Sequence, residues 1–358
     1  MMKSTKTDSC PQATRKRQST WRGQLVLLAL SICLLLLMLL SLRLGRYPVT
    51  ISQVVHTLWY TPLLGVHHSA SDIPWVVIEI VRLPRILAVT ICGMGLALCG
   101  AAMQGVFRNP LVGPEIAGVS SGAAFGGVLA FLFAFPAFAV VLMAFAGGIV
   151  ALVIALALAA LAGRAQTLAF VLAGVIVGAF FGALVGLVES MADPLSRLPS
   201  MIFWLLGSFA GIGYQKLGAV AAAMLVCGTL LLALRWRINL LSLGEIDAAA
   251  IGVNIQALRW TIVVLVAVMV AAQVSVSGGV GWVGLIIPHL ARMLVGPDHS
   301  KLLPASAALG GLYLLAMDDV ARSVGVQELP IGLLTAVVGA PIFAFLFWKT
   351  HGKGWGRE

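Results

Sequence analysis

Side chains able to do chemistry are few in this chain, and their spacing keeps most of them apart. His67 and His68 are adjacent, so on a helix or strand they point apart, and no carboxylate or cysteine cluster stands near to complete a metal site. Cys10, Cys33, Cys92, Cys99 and Cys227 include no C-x-x-C pair and mostly lie in apolar runs, which reads as buried free thiols. No G-x-x-x-x-G-K-[ST] loop occurs, so the chain encodes no phosphate cradle for ATP. Glu115, Glu189, Asp318 and Asp319 are expected at the ends of apolar runs, with no carboxylate buried inside them. Ion-coupled carriers use ionisable or unwound polar sites at mid-membrane. Without one, a self-powered carrier and an intramembrane enzyme are both disfavoured, and the energy has to come from another chain.

What the chain has instead is one concentrated polar stretch, R-W-R-I-N-L-L-S-L-G-E-I-D-A-A-A-I-G-V-N-I-Q-A-L-R, at 235–259. It holds three arginines, a Glu, an Asp and two Asn, with turn signals at Ser242-Leu243-Gly244 and at Gly252. Apolar runs long enough to cross a bilayer flank it on both sides. It reads as a cytoplasmic docking surface for an energy-supplying partner.

The elements that must position this stretch are membrane helices. Of 358 residues 60% are hydrophobic and 10% charged, whereas soluble domains carry roughly a quarter charged residues. The alternating pattern of a membrane β-barrel is absent, so the fold class is all-α and polytopic. The net charge of +10 is explained by membrane topology, and no nucleic-acid partner is expected. Residues 1–23 form a basic N-terminal tail, 24–348 the transmembrane domain containing the 235–259 loop, and 349–358 a C-terminal tail. Ser41-Leu42-Arg43 offers no cleavage site, so the first apolar run is a retained span. From Glu115 to Gly163 no charge occurs. As one helix this would measure roughly 75 Å against a bilayer core of about 30 Å, so it turns back, with its corner at Phe135-Pro136. About ten spans result, with a half-helix at 201–209. Seven of the 23 Lys and Arg (Arg43, Arg46, Arg82, Arg85, Arg197, Lys216, Arg322) fall on one side and the rest on the other. The positive-inside rule makes the richer side cytoplasmic and places both termini there.

Pro114-Glu115-Ile116-Ala117 and Pro288-His289-Leu290-Ala291 lie five spans apart, an echo that fits an inverted internal repeat. Gly174, Gly178, Gly182 and Gly186 recur every four residues and form one smooth stripe on the fifth span. That stripe suits close helix packing, or a weakly binding wall along which a bulky solute passes.

Six motifs in order then carry a resemblance: V-R-L-P-R-I-L-A (81–88), G-A-A-M-Q-G-V-F-R-N-P-L (100–111), L-S-L-G-E-I-D-A-A-A-I-G (241–252), G-W-V-G-L-I-I-P-H-L-A-R (281–292), G-P-D-H (296–299) and E-L-P-I-G-L-L-T-A-V-V-G-A-P-I-F (328–343). From about residue 80 onward the chain resembles the FecCD-like permease subunits of type II ATP-binding-cassette importers for iron-siderophores, haem and vitamin B12. The resemblance implies ten helices per subunit in a bacterial inner membrane, and a second permease around one pathway. It also implies two ABC ATPase subunits holding ATP and Mg, a substrate-binding protein outside, and no cofactor on this chain. Ser242, Leu243, Gly244, Glu245, Ile246 and Ala248 match its ATPase-coupling region. Arg82, Arg85 and Arg322 match positions that meet acidic residues of the binding protein. Thr167 matches the cytoplasmic gate, with Leu168 beside it, and Gly174, Gly178 and Gly182 are assigned with it to the pathway. The function implied is import of an iron chelate (siderophore or haem) or cobalamin. A molybdate-type oxyanion is the alternative, and an ion-coupled carrier a more distant one.

Overall fold

The computed structural model describes residues 11–60, 72–161, 166–242, 248, 251–252, 254–325 and 327–351. His67-His68 and the ends of both tails lie outside them. Among the described residues there is no strand. In order the helices are α1 (Pro11–Arg43), α2 (Ile51–Val55), α3 (Leu83–Phe107), α4 (Val119–Leu132), α5 (Ala137–Leu161), α6 (Gln166–Met191) and α7 (Arg197–Leu205). There follow α8 (Tyr214–Ala233), α9 (Arg235–Ser242), α10 (Ile255–Ser277), α11 (Val283–Val295), α12 (His299–Ser323) and α13 (Ile331–His351). Among the described residues seven stretches are long and apolar enough to cross a membrane, namely Gly23–Arg43, Ile73–Phe107, α5, Leu168–Met191, α8, α10 and α12. Three more are apolar but shorter: α4, α11 and Ile331–Leu346 of α13. Together they are the spans expected from the sequence. The short α4 and α11 occupy its third and eighth places; the repeated motif lies in the 3₁₀ turn just before α4 and within α11.

Local chemistry sets where these helices begin and end. The Asn254 side chain accepts the Ala257 N–H at 2.9 Å, so α10 starts ahead of the apolar Trp260, because a satisfied cap outweighs the loss of hydropathy. Asp298 caps α12 by accepting the Ser300 N–H at 2.9 Å. The corner between α4 and α5 falls where expected: Phe135 donates its N–H to Ala130 O at 3.0 Å, and Pro136 follows at once. The half-helix α7 ends at Leu205, earlier than expected, because the chain must then reach the ends of α10 and α13. There Ser208 N–H donates to Ser277 O at 2.8 Å and Ile331 N–H to Gly207 O at 2.9 Å.

At the centre is α3, buried along nearly its whole length and packed against α8, α10, α11 and α12. Two close approaches make this possible. A Cβ on Gly100 would collide with the Gly284 carbonyl of α11, and one on Gly93 with the Gly310 carbonyl of α12. Without a hydrophobic force between helices in lipid, such backbone contact is a principal source of association. By contrast α1 shows the surroundings a long row of leucines, including Leu28, Leu35, Leu36 and Leu39.

Candidate coupling, docking and pathway sites

The residues singled out by the sequence gather in three places. At the end assigned outward by the charge count, Arg82 and Arg85 lie three apart at the start of α3 and share a face. Arg82 donates to three carbonyl oxygens, Leu42 at 2.7 Å, Arg43 at 3.1 Å and Tyr47 at 2.6 Å. Arg85 grips Asp318 of α12 at 2.9 Å and Glu328 at 2.9 Å. Arg322 pairs with Asp319 and donates to Ser41 O at 2.6 Å, while the Ser41 hydroxyl donates to Asp319 at 2.6 Å. One network thus ties α1, α3 and α12 to the turn before α13.

One expectation is corrected here, and another gains an internal contact. Arg82, Arg85 and Arg322 do come together, but they are only 5%, 8% and 5% exposed. Their guanidinium groups turn inward, and each is met by an internal acceptor, so that within this chain none is left without one. Nor are the spans without buried carboxylates, since Asp318 and Asp319 are 0% and 6% exposed near the end of α12. Burial of a charge demands a paired and hydrogen-bonded partner. The partner of Asp318 is 233 residues away in sequence, so no local pattern announces the pair. Ser41 and Glu328 went unnoticed for the same reason.

At the opposite end, assigned inward by the charge count, α9 is the root of the expected coupling segment. Leu243, Gly244, Glu245 and Ile246 lie outside the described residues. Ser242 closes α9, Ala248 is buried, Ile251 is exposed, and Gly252 takes a positive φ of 88° that suits the turn read from the sequence. The root is held firmly. Ile238 and Leu241 are buried. Between them Asn239 donates to Asp298 Oδ1 at 2.6 Å and to the Ser300 hydroxyl at 3.2 Å, and accepts the His299 N–H at 2.8 Å. Burial works to raise the Asp298 carboxyl, but the Ser300 N–H, the Asn239 amide, the Ser300 hydroxyl and the charge of Lys301 hold it below the ordinary carboxylate range. The resemblance marks Asp298-His299 as part of a signature expected to serve structure or docking at the cytoplasmic face, and not catalysis. Asn239, one amide in an apolar and basic run, gave no signal of its own.

The third place is the face of α6. Thr167 stands in its first turn, and Leu168 beside it is 73% exposed. The glycine stripe does not act as one surface within this chain. Gly174 lies directly against Ile116, Gly178 comes near Ser121, and Gly182 and Gly186 face open space. Leu172, Val175, Ile176 and Phe180 on the same helix are also exposed. Next to it, the 3₁₀ turn Pro114–Ala117 reaches into the bundle, so that Pro114 meets Gly284 near the start of α11. A cavity of about 330 Å³ opens between them, bordered by Glu115, Gly281 and Trp282. Among the described residues no group of His, Cys, Asp and Glu is placed to hold a metal ion.

Comparison with known proteins covers nearly the whole chain. The profile of the FecCD transport family matches residues 33–349, extending the resemblance well upstream of residue 80. The molybdate import system permease protein MolB of Haemophilus influenzae is 43% identical over 329 residues, 92% of this chain and 97% of that protein. An iron chelatin transport system permease of Helicobacter pylori is 39% identical over 287 residues, 80% of this chain and 86% of its own length. Among solved structures, an inward-facing conformation of a metal-chelate type ABC transporter matches with a TM-score of 0.80 and 42% identity, over 90% of this chain and 99% of that one.

Proposed function

The chain belongs to the FecCD transport family, and from that premise we propose that it is the membrane-spanning subunit of an ATP-driven importer whose cargo arrives on a soluble binding protein. In this reading two permeases enclose the pathway and two ATPase subunits hold the ATP and magnesium. The partners grip the 241–252 segment. Leu243, Ile246 and Ile251 would form the apolar knob of a helix-in-groove contact, with Glu245 and Asp247 at its rim. The open half of the α6 stripe and the exposed residues beside it suit the wall of a pathway shared with a second permease.

For the cargo, a molybdate-type oxyanion has the most support. The carrying observation is the 43% identity to MolB along 97% of that protein. An iron chelate is the second reading, favoured by the 39% identity to the Helicobacter permease and by the metal-chelate type of the solved neighbour. Proteoliposomes holding the permease, its ATPase and its binding protein should accumulate labelled molybdate with ATP and stop with vanadate. Accumulation of a ferric siderophore and not of molybdate would reverse the order of the two readings. Uptake of either solute without ATP would remove the importer reading altogether.

The coupling role has its own test. Leu243→Asp or Glu245→Lys should abolish uptake while the protein still reaches the membrane at wild-type levels. Unchanged uptake in both variants would count against the 241–252 segment as the grip.

A further inference from the structure

We propose that Asn239 is the positioning residue through which movement of the 241–252 segment is passed to the membrane helices. The inference rests on that segment being the grip of the ATPase, and it names where the grip is fastened to the bundle.

Asn239 lies on α9, immediately before the segment. Its side chain must give a hydrogen to the Asp298 carboxylate at 2.6 Å and accept one from the His299 N–H at 2.8 Å. A primary amide offers both functions at once, whereas a carboxylate only accepts and an ammonium only donates. Hydrogen bonds to an ionised acceptor are also the stronger kind. The amide therefore welds α9 to the first turn of α12. Beside it Ile238, fully buried, lies against Gly105 of α3, so α9 is seated on both helices together.

Those two helices are fastened to each other at more than one level. They touch backbone to backbone at Gly93 and Gly310, and the Arg85–Asp318 pair joins them again at 2.9 Å near their other ends. A displacement of α9 cannot be absorbed by a loose linker. It has to carry α3 and α12, and with them the outer network of arginines. Loss of the amide would leave the segment able to engage its partner but poorly able to move the bundle.

The test uses the full complex of permease, ATPase and binding protein in proteoliposomes, fed with labelled molybdate and with a ferric siderophore. The readout is cargo moved per ATP hydrolysed, for whichever probe the wild type accumulates. Asn239→Asp sets a second carboxylate against Asp298 and should lower that ratio by roughly fivefold or more, the lower edge of coupling between linked sites. Combining it with Asp298→Asn restores a donor and acceptor across the same contact and should bring the ratio back to within about twofold of wild type, as coupled neighbours in a mutant cycle do. An unchanged ratio in Asn239→Asp would overturn the proposal, as would a double variant that is as thermostable as wild type yet still uncoupled. Should Asn239→Asp fail to reach the membrane, Asn239→Ala, which removes the contact without repulsion, takes its place under the same expectation. Glu245→Lys serves as the reference. If it leaves the ratio intact, the segment is not the grip and the proposal falls with its premise. If it uncouples while the Asn239 variants do not, the fastening alone is wrong.

Discussion

Arg85 shows what a charge requires in so apolar a chain. It is almost wholly covered, yet its guanidinium is used along two edges, Nε and Nη2 donating to Asp318 and Nη1 to Glu328. Removing Asp318 leaves the buried Nε and Nη2 hydrogens of Arg85 without an acceptor while Glu328 still meets Nη1, and Asp318→Ala is expected to cost about 3 kcal/mol, the lower end for a broken buried pair. Thermal unfolding in detergent would check this, against Asp318→Leu combined with Arg85→Met, which should recover most of the loss. That these arginines belong to one end of the bundle was legible, since the charge count puts them on the same side. Their inward orientation was not, because Asp318 and Ser41 are brought to them by packing alone. Asp298 offers a case with a sign. Its folded-state pKa is depressed, so its contribution is fully present above the unfolded value of about 3.9 and fades only as pH falls through the folded one. Cargo moved per ATP should therefore show no step from this residue between about pH 5 and pH 8, and a step there that disappears in Asp298→Asn would contradict it.

Helices were the most readable level of the chain. Hydropathy located the spans, and Pro136 and Gly252 sit where turn chemistry predicts. Ends were less well placed, as at α10 and α7, where a cap or a hydrogen bond to another helix decided the boundary. Glycines divide by what they face, which spacing does not reveal. Gly100 is pressed against the Gly284 backbone, whereas nothing lies near Gly182. Gly100→Leu should therefore cost at least the 1–3 kcal/mol typical of overpacking, seen as loss of folded protein after extraction. Gly182→Ala should leave folding untouched. If the stripe lines the pathway or a second permease, Gly182→Trp should reduce uptake without lowering the amount of folded protein. Equal uptake would place that face against lipid.

For the molecule as a whole, orientation is the open quantity that a simple measurement reaches. In a cysteine-depleted background, Ile251→Cys should react with a membrane-impermeant maleimide only from the inner side. Leu195→Cys, at a position 91% exposed, should react only from the outer side. The reverse pattern would invert the charge-based topology and move the coupling segment out of reach of any cytosolic ATPase. Composition and period were enough to specify an all-helical polytopic bundle, its apolar segments and its polar stretch at 235–259, because lipid leaves a spanning chain few alternatives, while the resemblance to a family came from six ordered motifs and not from composition. Which helices touch, which glycines carry backbone contact, and which charges neutralise one another emerged only with the folded chain. Those outcomes depend on pairs such as Arg85 with Asp318 and Asn239 with Asp298, separated widely in sequence, and a linear pattern holds no record of distance in space.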